Sequence, residues 1–172
     1  MINKSRLIKL TQKVIRFNSE NPPGNELALS RFIARDMRSL DLEVKVVAFA
    51  KNRPNIIATL KGTSKTAAKN AILITPHFDT VPVGTGWSMD PFGGVIKNGR
   101  IYGRGATDDK GNLACAMEAM RSLVEDKVRL AHDVILAATV DEETGSKQGI
   151  IPLLEKGYLK PRAALILDPD EF

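Results

Sequence analysis

His77 and Asp79 stand two residues apart, directly after the apolar run AILIT (71–75) and Pro76. In extended chain, side chains at i and i+2 point the same way, so Asp79 reaches the far ring nitrogen of His77 and fixes its tautomer. A metal-ligating histidine needs that support. A His-x-Asp pair by itself is also what an ordinary strand ending in a polar turn looks like, so the chemistry depends on further ligands converging there. Candidates exist, because acidic residues gather at Asp108 and Asp109, at Asp141 to Glu143, and at Asp168 to Glu171. One imidazole and several carboxylates suit Zn²⁺ or a similar divalent ion, with Zn–N near ~2.0–2.1 Å and Zn–O near ~2.0–2.2 Å. Glu142 and Glu143 are adjacent, so in extended backbone they point to opposite sides; one can bind metal while the other acts as general base.

Three apolar strands must carry these residues to one place. The run 71–75 reads as a fully buried strand; DVILAATV (133–140) is a second and ends in Asp141-Glu142-Glu143; AALIL (163–167) is a third and ends in Asp168-Pro169-Asp170. Strands separated by helical crossovers should be parallel, and in an open parallel sheet the ligand crevice lies beyond their carboxyl ends. Asp108 precedes a helix whose Leu113, Ala116, Met117, Met120 and Val124 keep helical spacing, which sets it above the same rim. Amphipathic helices are predicted over 5–17 and 26–40, strands over 42–49 and 55–60, and a short helix over 150–155 limited by Pro152. Asn98-Gly99 between two short β-like runs predicts a type I′ hairpin.

The 172 residues, 43% hydrophobic and 26% charged, suit one α/β domain with a real core. No apolar stretch has the length of a signal peptide or a bilayer span, so the expected location is cytoplasmic, with no membrane partner. The net charge of +5 comes from Lys and Arg scattered without aromatic interleaving, so no nucleic-acid partner is expected. The single cysteine, Cys115, falls in an alanine-rich helix and is expected to be buried and inert. A Gly-x-Ser-x-Gly elbow, a P-loop and a Gly-x-Gly-x-x-Gly turn are all missing from the sequence, which removes support for serine hydrolase and nucleotide-binding readings.

The segments PHFDTVP, GWSMDPFGGVIKNGRIYGRGATDDKG and VDEETGS, in this order and spacing, resemble the family of metallopeptidases and amidohydrolases that includes acetylornithine deacetylase, succinyl-diaminopimelate desuccinylase, aminoacylase and glutamate carboxypeptidase. The resemblance covers nearly the whole chain. It implies a three-layer α/β sandwich with a mostly parallel central sheet, of the phosphorylase/hydrolase-like zinc peptidase type, and two Zn²⁺ ions per complete site, with Co²⁺ as an alternative. By it, His77 binds one metal, Asp108 bridges two, Glu143 binds the second, Asp79 orients His77 and Glu142 is the general acid/base. Asp168-Pro169 takes the place of the family's usual Glu-Pro pair, making Asp168 the last ligand and Asp170 its substitute. A cis peptide at Asp108-Asp109 is implied as well. The implied activity is hydrolysis of an amide bond in an N-acyl amino acid or small peptide, with a dipeptidase or aminopeptidase, or a non-catalytic metal-binding fragment, as the alternatives. Members are roughly twice this length, carry a further metal-binding histidine near the C-terminus and have a lid or dimerisation domain. The expectation is therefore that 1–172 is the N-terminal portion of a catalytic domain, inactive in isolation and homodimeric at full length. The only other histidine, His132, precedes a strand at the end away from the site.

Overall fold

A computed structural model describes residues 1–169. Its elements in chain order are α1 (Lys4–Ile15), α2 (Leu27–Arg38), β1 (Glu43–Ala48), β2 (Pro54–Leu60), β3 (Ile72–Thr75), β4 (Val95–Lys97), β5 (Arg100–Tyr102), α3 (Lys110–Glu125), β6 (Val134–Ala138), α4 (Ile150–Glu155) and β7 (Ala163–Ile166). Five strands form one sheet in the order β1-β2-β6-β3-β7, and β4 pairs with β5 in a separate hairpin. Both turn residues of that hairpin have positive φ, 50° at Asn98 and 73° at Gly99, as a type I′ turn requires. In the main sheet β1/β2 and β2/β6 are antiparallel while β6/β3 and β3/β7 are parallel, so only β2 runs against the others. The central sheet is mostly parallel, as expected, and β3 lies between β6 and β7.

Alternation along the strands divides the core in two. Ile56 and Ala58 of β2 with Leu136 and Ala138 of β6 face a helical layer in which Val14, Leu29, Ile33, Met37, Leu113, Met117 and Met120 are buried. Ile57, Leu73 and Ala137 face the other way, under Leu153 of α4 and Leu159. The second layer is thin because α4 is six residues long. Pro152 fits there because it sits in the first turn, where the missing N–H leaves no intrahelical bond unmade.

Two expectations about burial fail. In β3 Ile72 is 43% exposed, and every residue of β7 is exposed, Leu165 at 55% and Ile166 at 69%. Apolar content reports what a strand can bury, whereas coverage depends on its neighbours. The helices pack mainly on β1, β2 and β6, and β7 lies beyond them at the sheet edge of the described residues. Cys115 is exposed. The buried stripe of α3 runs through Leu113, Ala114, Ala116, Met117 and Met120, and residue 115 points away from it. Among the described residues no helix is long and apolar enough to cross a membrane. His132 lies in a bend before β6, at the end of that strand away from Asp141.

Candidate metal centre

The strand direction of β3 continues past Thr75. Thr139 donates its N–H to the Pro76 carbonyl (3.1 Å), Phe78 donates to the Thr139 carbonyl (3.0 Å), and His77 bridges Thr139 in parallel. Two-residue alternation then sorts the side chains. Phe78, fully buried, enters the core, while His77 and Asp79 turn toward the sheet's carboxyl edge. The Ser19 hydroxyl donates to the Phe78 carbonyl (2.6 Å) and locks this segment against the loop after α1.

His77 is 4% exposed. Its Nδ1 lies 3.1 Å from the Asp79 main-chain carbonyl oxygen and 3.4 Å from the Asp79 carboxylate, so both acceptors of Asp79, and not the carboxylate alone, orient the ring. Nε2 points out of the sheet and lies 2.8 Å from Asp108 Oδ1 and 3.9 Å from Glu142 Oε2. Burial opposes a charge on this ring, but the Asp79 hydrogen bond and the charges of Asp79, Asp109 and Asp108 outweigh it, and the imidazole pKa is pushed up to about 10. Asp79 is fully buried; burial works against its ionisation, yet the bonds from His77, Asn21 and the Glu142 N–H hold it below the usual carboxylate range.

The Asp108-Asp109 peptide is cis, as the resemblance implied. The two carboxylates diverge. Asp108 is half-exposed and reaches His77 Nε2, whereas Asp109 is buried, accepts the His77 backbone N–H (3.0 Å) and the Asn112 side-chain amide (2.6 Å), and heads α3. Burial pushes the Asp109 carboxyl up to about 7.

Asp141 adopts left-handed backbone (φ 69°), and Glu142–Thr144 form a 3-10 turn. Glu142 and Glu143 therefore separate through a tight helical turn, and the extended backbone expected from the sequence is not what parts them. The reversal is set by Asp79, whose two oxygens accept the N–H groups of Glu142 (3.1 Å) and Glu143 (3.2 Å). Glu143 Oε1 accepts the Val81 N–H (3.1 Å), while Glu142 borders a cavity of about 140 Å³ with His77, Thr75, Ile166 and Asp168. Burial raises the pKa of both glutamates, with His77 opposing in each case and neighbouring carboxylates adding to the rise.

The ligand atoms of His77, Asp108 and Glu143 all lie within 4.8 Å of one another. Asp168 stands outside that group, on the cavity wall, and Asp170 lies outside the described residues. The donor set fits a divalent ion. An imidazole nitrogen and two carboxylates face each other, two more carboxylates border them, and none of the three makes an ion pair with Lys or Arg among the described residues.

Several residues that hold the site carried no signal of their own in the sequence. Arg53 bridges Glu26 (Nη2–Oε1 2.5 Å) and Asp141 (Nη1–Oδ1 2.8 Å), and Asn21 joins Asp79 to the 142–144 turn. The available hints were weak: charged residues directly beside apolar elements, Glu26 before α2 and Arg53 before β2.

Residues 73–171, more than half of the chain and all of the strand ends just described, match the profile of Peptidase family M20/M25/M40. The chain belongs to that family. Among its M20-family relatives are N-formyl-4-amino-5-aminomethyl-2-methylpyrimidine deformylase of Bacillus subtilis, 31% identical over 91% of this chain and 37% of the relative, and acetylornithine deacetylase of Proteus mirabilis, 32% identical over 95% and 41%. An M20 family metallo-carboxypeptidase from Sulfolobus solfataricus has the same fold, with a TM-score of 0.80 at 24% identity over 94% of this chain and 37% of that one. The chain thus spans about two fifths of the length of the curated relatives it matches.

Proposed function

We propose that this protein is a metal-dependent hydrolase that cleaves an amide bond in an N-acyl amino acid or a small peptide, with residues 1–172 supplying the N-terminal portion of its catalytic domain. The observation that carries the reading is the convergence of His77, Asp108 and Glu143 beside an open cavity bordered by Glu142. His77, Asp108, Glu143 and Asp168 would hold Zn²⁺, or Co²⁺ in its place, with two ions expected in the complete site. A metal bound there would supply Lewis-acid polarisation of the substrate carbonyl and a water of near-neutral pKa. Asp79 keeps the His77 ring turned so that Nε2 faces the carboxylates, and its second task is to fix the turn that separates Glu142 from Glu143. Glu142, on the cavity side, takes a proton from the attacking water as general base and delivers it to the leaving amine as general acid. In this reading the protein is cytoplasmic and homodimeric, and the scattered basic residues give it no nucleic-acid role.

A second reading, a dipeptidase or aminopeptidase, is favoured by aspartate rather than glutamate before Pro169. Turnover of N-acyl amino acids against dipeptides, with Zn²⁺ or Co²⁺ supplied, separates the two, and binding without turnover of either leaves a non-catalytic metal-binding role. Glu142→Gln should retain metal and lose about 10²–10⁴-fold in kcat, as expected for a positioned acid/base. Glu143→Ala should lose metal. Equal loss of metal in both variants would overturn the division of roles.

A further inference from the structure

We infer that Asn21, in the loop between α1 and α2, is a positioning residue that clamps Asp79 to the 142–144 turn and thereby sets where Glu142 and Glu143 stand relative to His77. Asn21 is 3% exposed and its side-chain amide lies among acceptors. Nδ2 donates to Asp79 Oδ2 (2.8 Å) and to Thr144 Oγ1 (2.9 Å), and Asp141 Oδ1 is 3.4 Å away. The Thr144 hydroxyl passes its own hydrogen to Asp141 Oδ1 (2.7 Å). An amide NH₂ has two hydrogens, and here they go to the buried Asp79 carboxylate and to the Thr144 hydroxyl, which itself donates to the buried Asp141 carboxylate. The carbonyl end of the same side chain could not take this place, since it would add a third acceptor.

The loop itself is held where the clamp needs it. Asn21 donates its backbone N–H to the Thr80 carbonyl (2.8 Å), and Thr80 donates to the Ser19 carbonyl (3.1 Å), so the loop runs as a short added strand beside the segment that carries His77 and Asp79. Among the described residues Asp79 Oδ2 receives only the Glu143 N–H and the Asn21 amide, and Oδ1 the Glu142 N–H and the His77 ring. Removing Asn21 leaves a buried carboxylate oxygen with one donor and frees the turn on its Thr144 side. Asn21 makes no hydrogen bond to His77 and does not line the cavity, so its influence on the site passes through Asp79 and the turn. The consequence for metal rests on the function proposed above, whereas the clamp does not.

Amide hydrogen exchange, measured by NMR on the metal-free protein, tests the clamp directly. In Asn21→Ala the Glu142 and Glu143 amides should exchange about tenfold faster or more, while Leu136 and Ala137 inside β6 stay within about twofold of the unsubstituted protein. Unchanged exchange at Glu142 and Glu143 would overturn the inference. So would acceleration shared equally by β6, which marks general destabilisation. If Asn21→Ala does not fold, the same amides are read in Asn21→Ser, whose shorter side chain breaks the reach to Thr144, with the same criteria. Zn²⁺ titration of the folded variant should show about tenfold weaker binding; loosened amides with unaltered zinc affinity would overturn the link to the site. Failure of the unsubstituted protein to bind Zn²⁺ would count against the proposed function and leave the exchange result to decide the clamp.

Discussion

Replacing Arg53 by methionine keeps most of the side-chain volume and removes one charge from a buried set of three. Arg53 is 14% exposed at its side chain, Glu26 0% and Asp141 6%. The guanidinium donates to both oxygens of Glu26 through Nε (3.0 and 3.2 Å) and again through Nη2. Asp141 keeps donors from Thr144 and Gln148 after the change, so the uncompensated charge falls mainly on Glu26. Breaking a buried pair from one side costs about 3–5 kcal/mol. At roughly 2–4 °C per kcal/mol for a chain of this size, Tm should fall by about 6–20 °C.

The pH dependence of that loss identifies its origin. Burial already raises the Glu26 pKa, with Arg53 holding it partly down; without Arg53 it rises further. A carboxyl whose folded pKa exceeds its unfolded value of about 4.3 loses stability as pH rises toward and through the folded pKa. Asp141 has the opposite sign: burial disfavours its charge, but Thr144, Gln148 and Arg53 hold its pKa down, and it stabilises the fold above about pH 3.9. Losing Arg53 weakens that term about equally at pH 5 and pH 7.5, both above the unfolded Asp value, so the larger penalty at pH 7.5 than at pH 5 comes from Glu26. Thermal unfolding followed by circular dichroism at the two pH values reads this. A Tm within about 2 °C of the parent, or an equal drop at both pH values, would refute the electrostatic account.

Phe78→Ala opens the core directly behind His77 and Asp79 and should cost about 3–5 kcal/mol, read as a lower urea midpoint with an unchanged slope. The Arg6 hydrogen bond holds the Glu118 pKa below its usual range, so Glu118 stabilises the protein above about pH 4.3 and that contribution is lost as pH falls through its folded pKa. Glu118→Gln should therefore cost about 1.5–3 kcal/mol at pH 7, with the difference from the parent shrinking as the solution is acidified below about pH 4.3, measured by urea unfolding. Titration calorimetry should find one Zn²⁺ bound tightly per chain, through the cluster of His77, Asp108 and Glu143, and His77→Ala should abolish it; two equally tight sites would contradict the assignment.

Strand ends in polar residues made much of this arrangement readable in the sequence. His77, Asp141 to Glu143 and Asp168 each follow an apolar run, and parallel pairing of β6, β3 and β7 puts those ends side by side. The apolar runs could not tell which strands the helices would cover, because burial at β7 depends on elements packed from elsewhere. Asn21, Glu26 and Arg53 were not legible for a similar reason. Their roles come from partners 27 to 123 residues away, and a polar side chain in a loop looks the same in sequence whether it meets water or a buried carboxylate.

The place of β3 between β6 and β7 has a consequence for the order in which the molecule is built. β3 must find β6 across about sixty residues and β7 across about ninety, while β1 and β2 are joined by a short turn. Non-local pairings bear more loop-closure entropy than a local one and are slower to form. Partly folded chains with a complete β1–β2 pair and intact helices would still lack any shared edge for His77 and Glu143. The cluster therefore comes into being only once β3 has paired with β6, and its assembly reports that long-range closure and not the local β1–β2 pairing.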